Sequence, residues 1–399
     1  MRICIIVDDY LPNSIKVSAK MMHELACEFV ERGNEVTVIT PSATVRENFE
    51  KSFLDGVVVY RFKSGEIKNI GKIKRAINET LLSFRAWKNL RSFFVNNPHD
   101  YIIYYSPSIF WGELVSKLKK LWNAPAYLIL RDFFPQWAID QGLIKQGSLI
   151  EKYFRYFEKR CYASADTIGV MSQRNLEWFV HKYQINKDVE VLPNWAVDNP
   201  VPLKRDYKKE LGLSDKVVYF YGGNMGYAQD MMNLIRLAKN MQNISQAHFV
   251  LVGKGDEYQL VENAIKKLNL QNVTLLPAVN QDEYKQMLAS FDVGLFTLHK
   301  DHKTHNFPGK LLGYMVQQMP ILGSVNSGND LKEVIETAEA GFVTVNGEDD
   351  KFLENAKKLL NEELREKMGK NAKKLLQSTF SIEAATNKLL DAYSRNCET

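Results

Sequence analysis

Along this chain, short β-branched and aromatic runs alternate with stretches whose apolar residues fall at helical spacing, and the alternation leaves few folds open. ICIIV (3–7) is followed by helical spacing near 18–32, and EVTVI (35–39) comes after Gly33, a residue suited to ending a helix. YIIYY (101–105), AYLIL (126–130), DTIGV (166–170) and VEVL (189–192) continue the series. Apolar strands separated by helices predict a parallel sheet of βαβ units. Across PNWAVDNPVPLKRD (193–206), prolines and polar residues replace the periodicity, as in a linker. The cadence then restarts with KVVYFYGG (216–223), AHFVLVG (247–253), NVTLLP (272–277), DVGLF (292–296), PILGS (320–324) and GFVTV (341–345).

A length of 399 residues with 45% apolar content suffices for two cores. The expected fold is α/β, two Rossmann-like domains facing a cleft, over residues 1–197 and 198–379. The amphipathic tail FSIEAATNKLLDAYSRN (380–396) has no strand after it. It is expected as a helix within 380–399 that returns to the N-terminal domain.

No stretch approaches the ~18 apolar residues of a membrane span, and MRICIIVDDYLP opens as a strand rather than a leader. A cytoplasmic protein is expected, with no nucleic-acid partner. Cys4, Cys27, Cys161 and Cys397 are far apart and form no Cys-x-x-Cys pair, so they read as four reduced thiols with neither a disulfide framework nor a structural zinc. The net charge is +5, yet residues 63–95 alone carry eight basic against two acidic residues, a net of +6. Ile67, Ile70, Ile73, Ile77, Leu81, Phe84, Trp87, Leu90 and Phe94 recur there at steps of three and four, the mark of one helical face. Such a helix either packs on the core with a solvated back or lies against an anionic membrane surface.

Ligands of open α/β sheets bind beyond the C-terminal strand ends, so the loops there are where chemistry is expected. In YFYGGNMGYAQD (219–230) a strand leads through Gly222, Gly223 and Gly226 into a helix, an arrangement that lets backbone N–H groups approach an anion. The loop after the first strand, IVDDYLPNS, contains no glycine, which argues against a dinucleotide-binding oxidoreductase.

Taken in order, ERGNEVTVITP (31–41), MSQRN (171–175), LPNWAVD (192–198), GGNMGYAQDMMNLI (222–235), FVLVGKGDE (249–257), NVTLLPAVNQDEY (272–284) and KLLGYMVQQMPILGS (310–324) resemble glycosyltransferase family 4 over essentially the whole chain. Those are two-domain GT-B enzymes that retain anomeric configuration. RDFFPQW (131–137) and THNFPGK (304–310) are similar to the branch containing L-fucosamine transferases of bacterial O-antigen and capsule synthesis.

The resemblance implies that Lys310 is the family's lysine beside the donor diphosphate, where a cation offsets the charge of the leaving group. It places Ser14, Gly223, Asn224, Gln229, His305, Asn306 and Gly309 around the donor. The family's paired glutamates fall on His305 and Gly313, so neither carboxylate is present. Asn224 and Gln229 stand where relatives often carry a cation, which leaves more of the charge to Lys310. On the acceptor side the family's His-Asp becomes Arg131-Asp132. Asp132 either orients the acceptor hydroxyl or caps the next helix, and Arg131 either holds an acceptor phosphate or pairs with Asp132. The residues expected to carry catalysis are thus Lys310 and Asp132, with Arg131 binding the acceptor.

Histidines 299, 302 and 305 fall at steps of three in a loop without a carboxylate cluster, and Asp8-Asp9 is adjacent rather than spaced, so no metal or other cofactor is expected. The function implied is metal-independent, retaining transfer of a sugar, such as N-acetyl-L-fucosamine, from a UDP-sugar to a lipid-linked saccharide at the inner face of a bacterial membrane. Two alternatives remain at this level, a nucleotide-sugar 2-epimerase and a sugar-nucleotide-binding subunit without turnover.

Overall fold

The computed structural model describes every residue except 15, 68–69, 107, 185, 302–306 and 399. The chain divides into two compact units, residues 1–193 with 382–399, and residues 194–381.

In the first unit β1 (Arg2–Ile6), β2 (Glu35–Ser42), β3 (Phe49–Leu54), β4 (Val57–Lys63), β5 (Tyr101–Tyr105), β6 (Ala126–Ile129), β7 (Thr167–Val170) and β8 (Asp188–Val191) form one sheet. Their order is β3-β4-β2-β1-β5-β6-β7-β8, and all neighbours are parallel except the hairpin of β3 and β4. Ile3, Cys4, Ile5 and Ile6 of β1 are all fully buried, as befits a central strand with both faces covered.

The hairpin is absent from the sequence reading. Its turn is Asp55-Gly56, with φ of 47° and 81°. Two consecutive left-handed residues give the turn whose twist matches the strands it joins.

The basic segment 63–95 is not one helix. Lys63 ends β4, and the helices Lys72–Thr80 and Leu82–Asn96 meet at Leu81. The second buries Leu82, Ala86, Leu90 and Phe94 in the core, whereas Ile73, Ile77 and Phe84 stand 80%, 55% and 61% exposed. The apolar row is therefore divided between core and surface. No helix among the described residues is long and apolar enough to cross a membrane.

The helix Ile382–Cys397 completes the first unit. It buries Ile382, Ala385, Leu389 and Ala392. The Tyr101 hydroxyl, at the start of β5, donates to the Leu389 carbonyl at 2.9 Å, and Arg32 donates to Asn387 Oδ1 at 2.6 Å.

The second unit holds β9 (Val217–Asn224), β10 (Ala247–Lys254), β11 (Val273–Pro277), β12 (Val293–Thr297), β13 (Ile321–Val325) and β14 (Gly341–Val345), all parallel, in the order β11-β10-β9-β12-β13-β14. Read within the unit, this is the doubly wound order 3-2-1-4-5-6. β9 and β10 come very close at their C-terminal ends, where Gly253 pairs with Gly223. A Cβ on Gly253 would sit 1.9 Å from the Gly223 carbonyl oxygen, so only glycine fits.

Because Leu389 is fully buried, Leu389→Ala leaves a cavity in the first unit and is expected to cost about 2–5 kcal/mol. A lower midpoint in urea unfolding checks this, and an unchanged midpoint would mean the terminal helix contributes little to that core.

Candidate functional site

Winding reverses between β9 and β12 in the second unit, and strand ends that diverge in this way leave a crevice. β9 ends on Gly222-Gly223-Asn224, and the chain beyond β12 leads to the short helix Lys310–Val316. Lys310 reaches back over the β9 end. Its ammonium lies 3.4 Å from the centroid of the Tyr221 ring, and a Cβ on Gly223 would be 3.3 Å from it. Gly223, with φ of +141°, and Asn224 are both exposed, so this backbone is open to a ligand.

Among the described residues no carboxylate or carbonyl pairs with the Lys310 ammonium; the ring face of Tyr221 is its neighbour. The residue as a whole is half-buried while its charged end is enclosed, and this loss of water holds its pKa well below the ordinary lysine value. A phosphate arriving here would supply the missing counter-charge.

The polar groups around the β9 loop hold one another. Gln229 Oε1 accepts from Asn224 Nδ2 at 2.9 Å and from the Gly226 N–H at 3.2 Å, and Tyr221 Oη donates to the Asn224 carbonyl. The His299 N–H donates to the Ala228 carbonyl at 2.9 Å, and its ring stacks on Tyr227 with centroids 4.4 Å apart. Asn346 Nδ2, beyond β14, donates to Asp230 Oδ2 at 2.9 Å and to the Leu298 carbonyl at 2.8 Å. The loops after three strands are thereby tied at one end of the sheet.

Gly309 is exposed and begins the Lys310 helix. At Gly313, one of the two positions lacking a family glutamate, a Cβ would come 3.1 Å from Leu288 Cδ1, so a larger residue requires that side chain to shift. His305 and Asn306 lie outside the described residues.

In the first unit the corresponding reversal falls between β1 and β5. Asp8, Asp9 and Ser14 follow β1, and Arg131 and Asp132 follow β6. Ser14 turns inward: its hydroxyl donates to Asp9 Oδ2 at 2.7 Å and accepts from the Lys16 N–H at 3.2 Å. Arg131, expected at the acceptor, is buried. It donates to the carbonyls of Leu192 and Pro193 at 2.7 and 3.1 Å, joining the end of β6 to the chain leaving β8.

Asp132 is exposed as a residue, yet desolvation by the protein around its carboxyl raises its pKa above the ordinary aspartate range. Burial pushes the Tyr105 hydroxyl at the end of β5 up to about 12, with the charges of Arg131, Asp132 and Asp8 also acting on it. The ends of β1, β5 and β6 thus share one electrostatic neighbourhood. A cavity of about 550 Å³ opens by the ends of β1, β2 and β4, lined in part by Asp8, Asp9, Asn13, Thr40, Arg61 and Glu66.

Sequence reasoning missed Tyr221, whose ring carries Lys310, and the pair Tyr227 and His299. Both ring contacts come from the chain that returns after β12, distant in sequence from either tyrosine.

Comparison with known proteins supplies a family for each unit. Residues 18–197 match the family model described as Glycosyltransferase Family 4, and residues 204–375 match that described as Glycosyl transferases group 1. The probable glycosyltransferase WbjE of Pseudomonas aeruginosa is 23% identical over 219 residues, and the match spans about half of each protein, 54%. Among solved structures, Anabaena HepE in complex with UDP shares 14% identity with a TM-score of 0.67, over 99% of this chain and 100% of that one. WaaG, a glycosyltransferase involved in lipopolysaccharide biosynthesis, shares 15% identity with a TM-score of 0.62, over 98% of both chains. A glycosyltransferase family model thus matches each unit, and the fold along nearly the whole chain is that of the GT-B glycosyltransferases.

Proposed function

We propose that the chain transfers a glycosyl residue from a UDP-sugar, of the N-acetylated L-fucosamine type, to a lipid-linked saccharide, retaining configuration and without a metal ion in the reaction. The observation that carries this reading is the Lys310 ammonium, set over Gly223 with an aromatic ring and no counter-ion beside it among the described residues. A diphosphate is the anion such a lysine fits, and HepE is recorded with UDP on the same fold. The resemblance of the 131–137 and 304–310 motifs supports the sugar, and the likeness to WaaG supports a cell-envelope acceptor.

In the proposed step the bond from the sugar's anomeric carbon to the diphosphate oxygen breaks while the acceptor oxygen bonds to that carbon from the same face. The acceptor's proton passes to the departing diphosphate. Lys310 stabilises the charge that develops there, as a fixed cation in a water-poor site does most effectively. Asp132 orients the acceptor hydroxyl as a hydrogen-bond acceptor. Acceptor-dependent release of UDP tests the reading against an epimerase, which yields little UDP, and against a binding subunit, which yields none.

The same reading places the protein peripherally on the inner face of the cytoplasmic membrane. Exposed Ile73, Ile77 and Phe84 stand near the cations Lys74 and Arg75 in sequence. The helix Leu149–Ser164 is joined to this region by a hydrogen bond between Thr80 and Tyr153, and adds exposed Leu149, Ile150, Tyr153 and Tyr156. Apolar side chains beside cations suit an anionic lipid surface.

Lys310→Ala is expected to lower kcat by on the order of 10²-fold or more in steady-state assays with the fold intact by circular dichroism; near-normal kcat would remove Lys310 from the reaction. Asp132 must be ionised to accept the hydroxyl, so kcat/KM should fall with decreasing pH through a value above the usual aspartate pKa of about 3.9. That acid limb should vanish in Asp132→Asn, and its persistence would assign it elsewhere. Replacing Lys74, Arg75 and Lys152 by glutamine should weaken flotation with anionic vesicles, by about 1 kcal/mol per charge at low salt, while UDP binding is unchanged. Equal flotation of parent and variant would move the lipid contact to another surface.

A further inference from the structure

Three side chains with metal-binding atoms converge in the first unit. His23 and Cys27 stand one turn apart on the helix Val17–Glu31, and Asp55 occupies the turn between β3 and β4. His23 Nε2 is 3.0 Å from Asp55 Oδ2 and 3.5 Å from Cys27 Sγ, and the ligand atoms of all three lie within 4.8 Å of one another. Around a tetrahedral zinc ion, bonds of about 2.1 Å to nitrogen and oxygen and about 2.3 Å to sulfur place nitrogen and sulfur roughly 3.6 Å apart, and nitrogen and oxygen roughly 3.4 Å apart. The nitrogen–sulfur spacing is already that of such a site, and the nitrogen–oxygen spacing is a few tenths of an ångström short of it.

The surroundings fit as well. His23 Nδ1 lies 2.8 Å from Tyr10 Oη, and the two rings meet edge to face at 5.5 Å. A second hydrogen bond at the far nitrogen is what fixes the tautomer and ring orientation of a ligating histidine, leaving Nε2 free to face the metal. The negative charges of Asp55, Glu31 and Glu24 all act on Cys27, a field that favours a cation. His23 is buried, whereas the Asp55 side chain is 70% exposed and offers an entry path.

We propose that His23, Cys27 and Asp55 bind a zinc ion, with water as the fourth ligand. The ion joins the β3–β4 hairpin to the helix Val17–Glu31 and, through Tyr10, steadies the loop after β1. The ion is not needed for the glycosyl transfer proposed above, so the two readings stand or fall separately. Ligand-spacing rules applied to the cysteines alone pass over it, since the other two ligands are a histidine one turn away and a residue in a hairpin turn.

Titration of the metal-stripped full-length protein with Co²⁺ tests the proposal. One equivalent should bind with a near-ultraviolet thiolate-to-cobalt absorption band that Zn²⁺ displaces. Cys27→Ser should abolish the band, Asp55→Asn should weaken Co²⁺ binding at least ten-fold, and Tyr10→Phe should weaken it about ten-fold. Cys397→Ser, which removes an exposed thiol elsewhere, should change neither band nor affinity. Absence of the band in the parent, or an identical band in Cys27→Ser, overturns the proposal. Should Cys27→Ser fail to fold, unchanged affinity in Asp55→Asn overturns it alone, since that side chain lies on an exposed turn.

Discussion

A parallel sheet must be covered on both faces, because its strands carry apolar side chains on each side, and covering both faces from a central strand forces the winding direction to reverse. In each unit of this chain that reversal leaves adjacent strand ends diverging, at β1 and β5 in one and at β9 and β12 in the other. Polar residues lie near these ends, Asp8 and Asp132 in the first unit and Gly223, Asn224 and Lys310 in the second, while the 550 Å³ cavity opens by the ends of β1, β2 and β4. Where chemistry can occur is thus decided by how the sheets are covered.

Two cations at these ends have unlike surroundings. Arg131 is buried against the carbonyls of Leu192 and Pro193, so removing it would leave main-chain acceptors without their donors. Lys310 meets the face of Tyr221, an attraction that holds the chain in place without neutralising it. The first cation is held by main-chain acceptors, and the second rests on a ring face.

Much of this was legible in the sequence, for particular reasons. The strands announced themselves because a sheet covered on both faces needs uninterrupted apolar runs, and YIIYY and GFVTV became β5 and β14 to the residue. β3 escaped because FEKSFL lies on the sheet edge and is mostly exposed, so it carries no apolar run, whereas VVVYRFK of β4 is such a run and was passed over; the Asp55-Gly56 turn was the available signal. Residues 63–95 read as one helix because steps of three and four continue across Leu81, where the axis is interrupted without a change of pattern. In the candidate site, Lys310, Gly223, Asn224 and Gln229 were reachable through motif order. That Arg131 faces main chain, and that Ser14 turns to Asp9, depends on partners distant in sequence or on loop conformation, which periodicity does not encode.

The helix Ile382–Cys397 belongs to the unit whose other residues end at Pro193, with residues 194–381 synthesised in between. At roughly 5–20 residues per second on the ribosome, the first unit waits on the order of ten to forty seconds for its last element. During that interval the Tyr101 hydroxyl lacks the Leu389 carbonyl and the ground later covered by Leu389 and Ala392 lies bare. The nascent chain therefore presents an apolar face for as long as the second unit takes to be made, which is where a chaperone would find it.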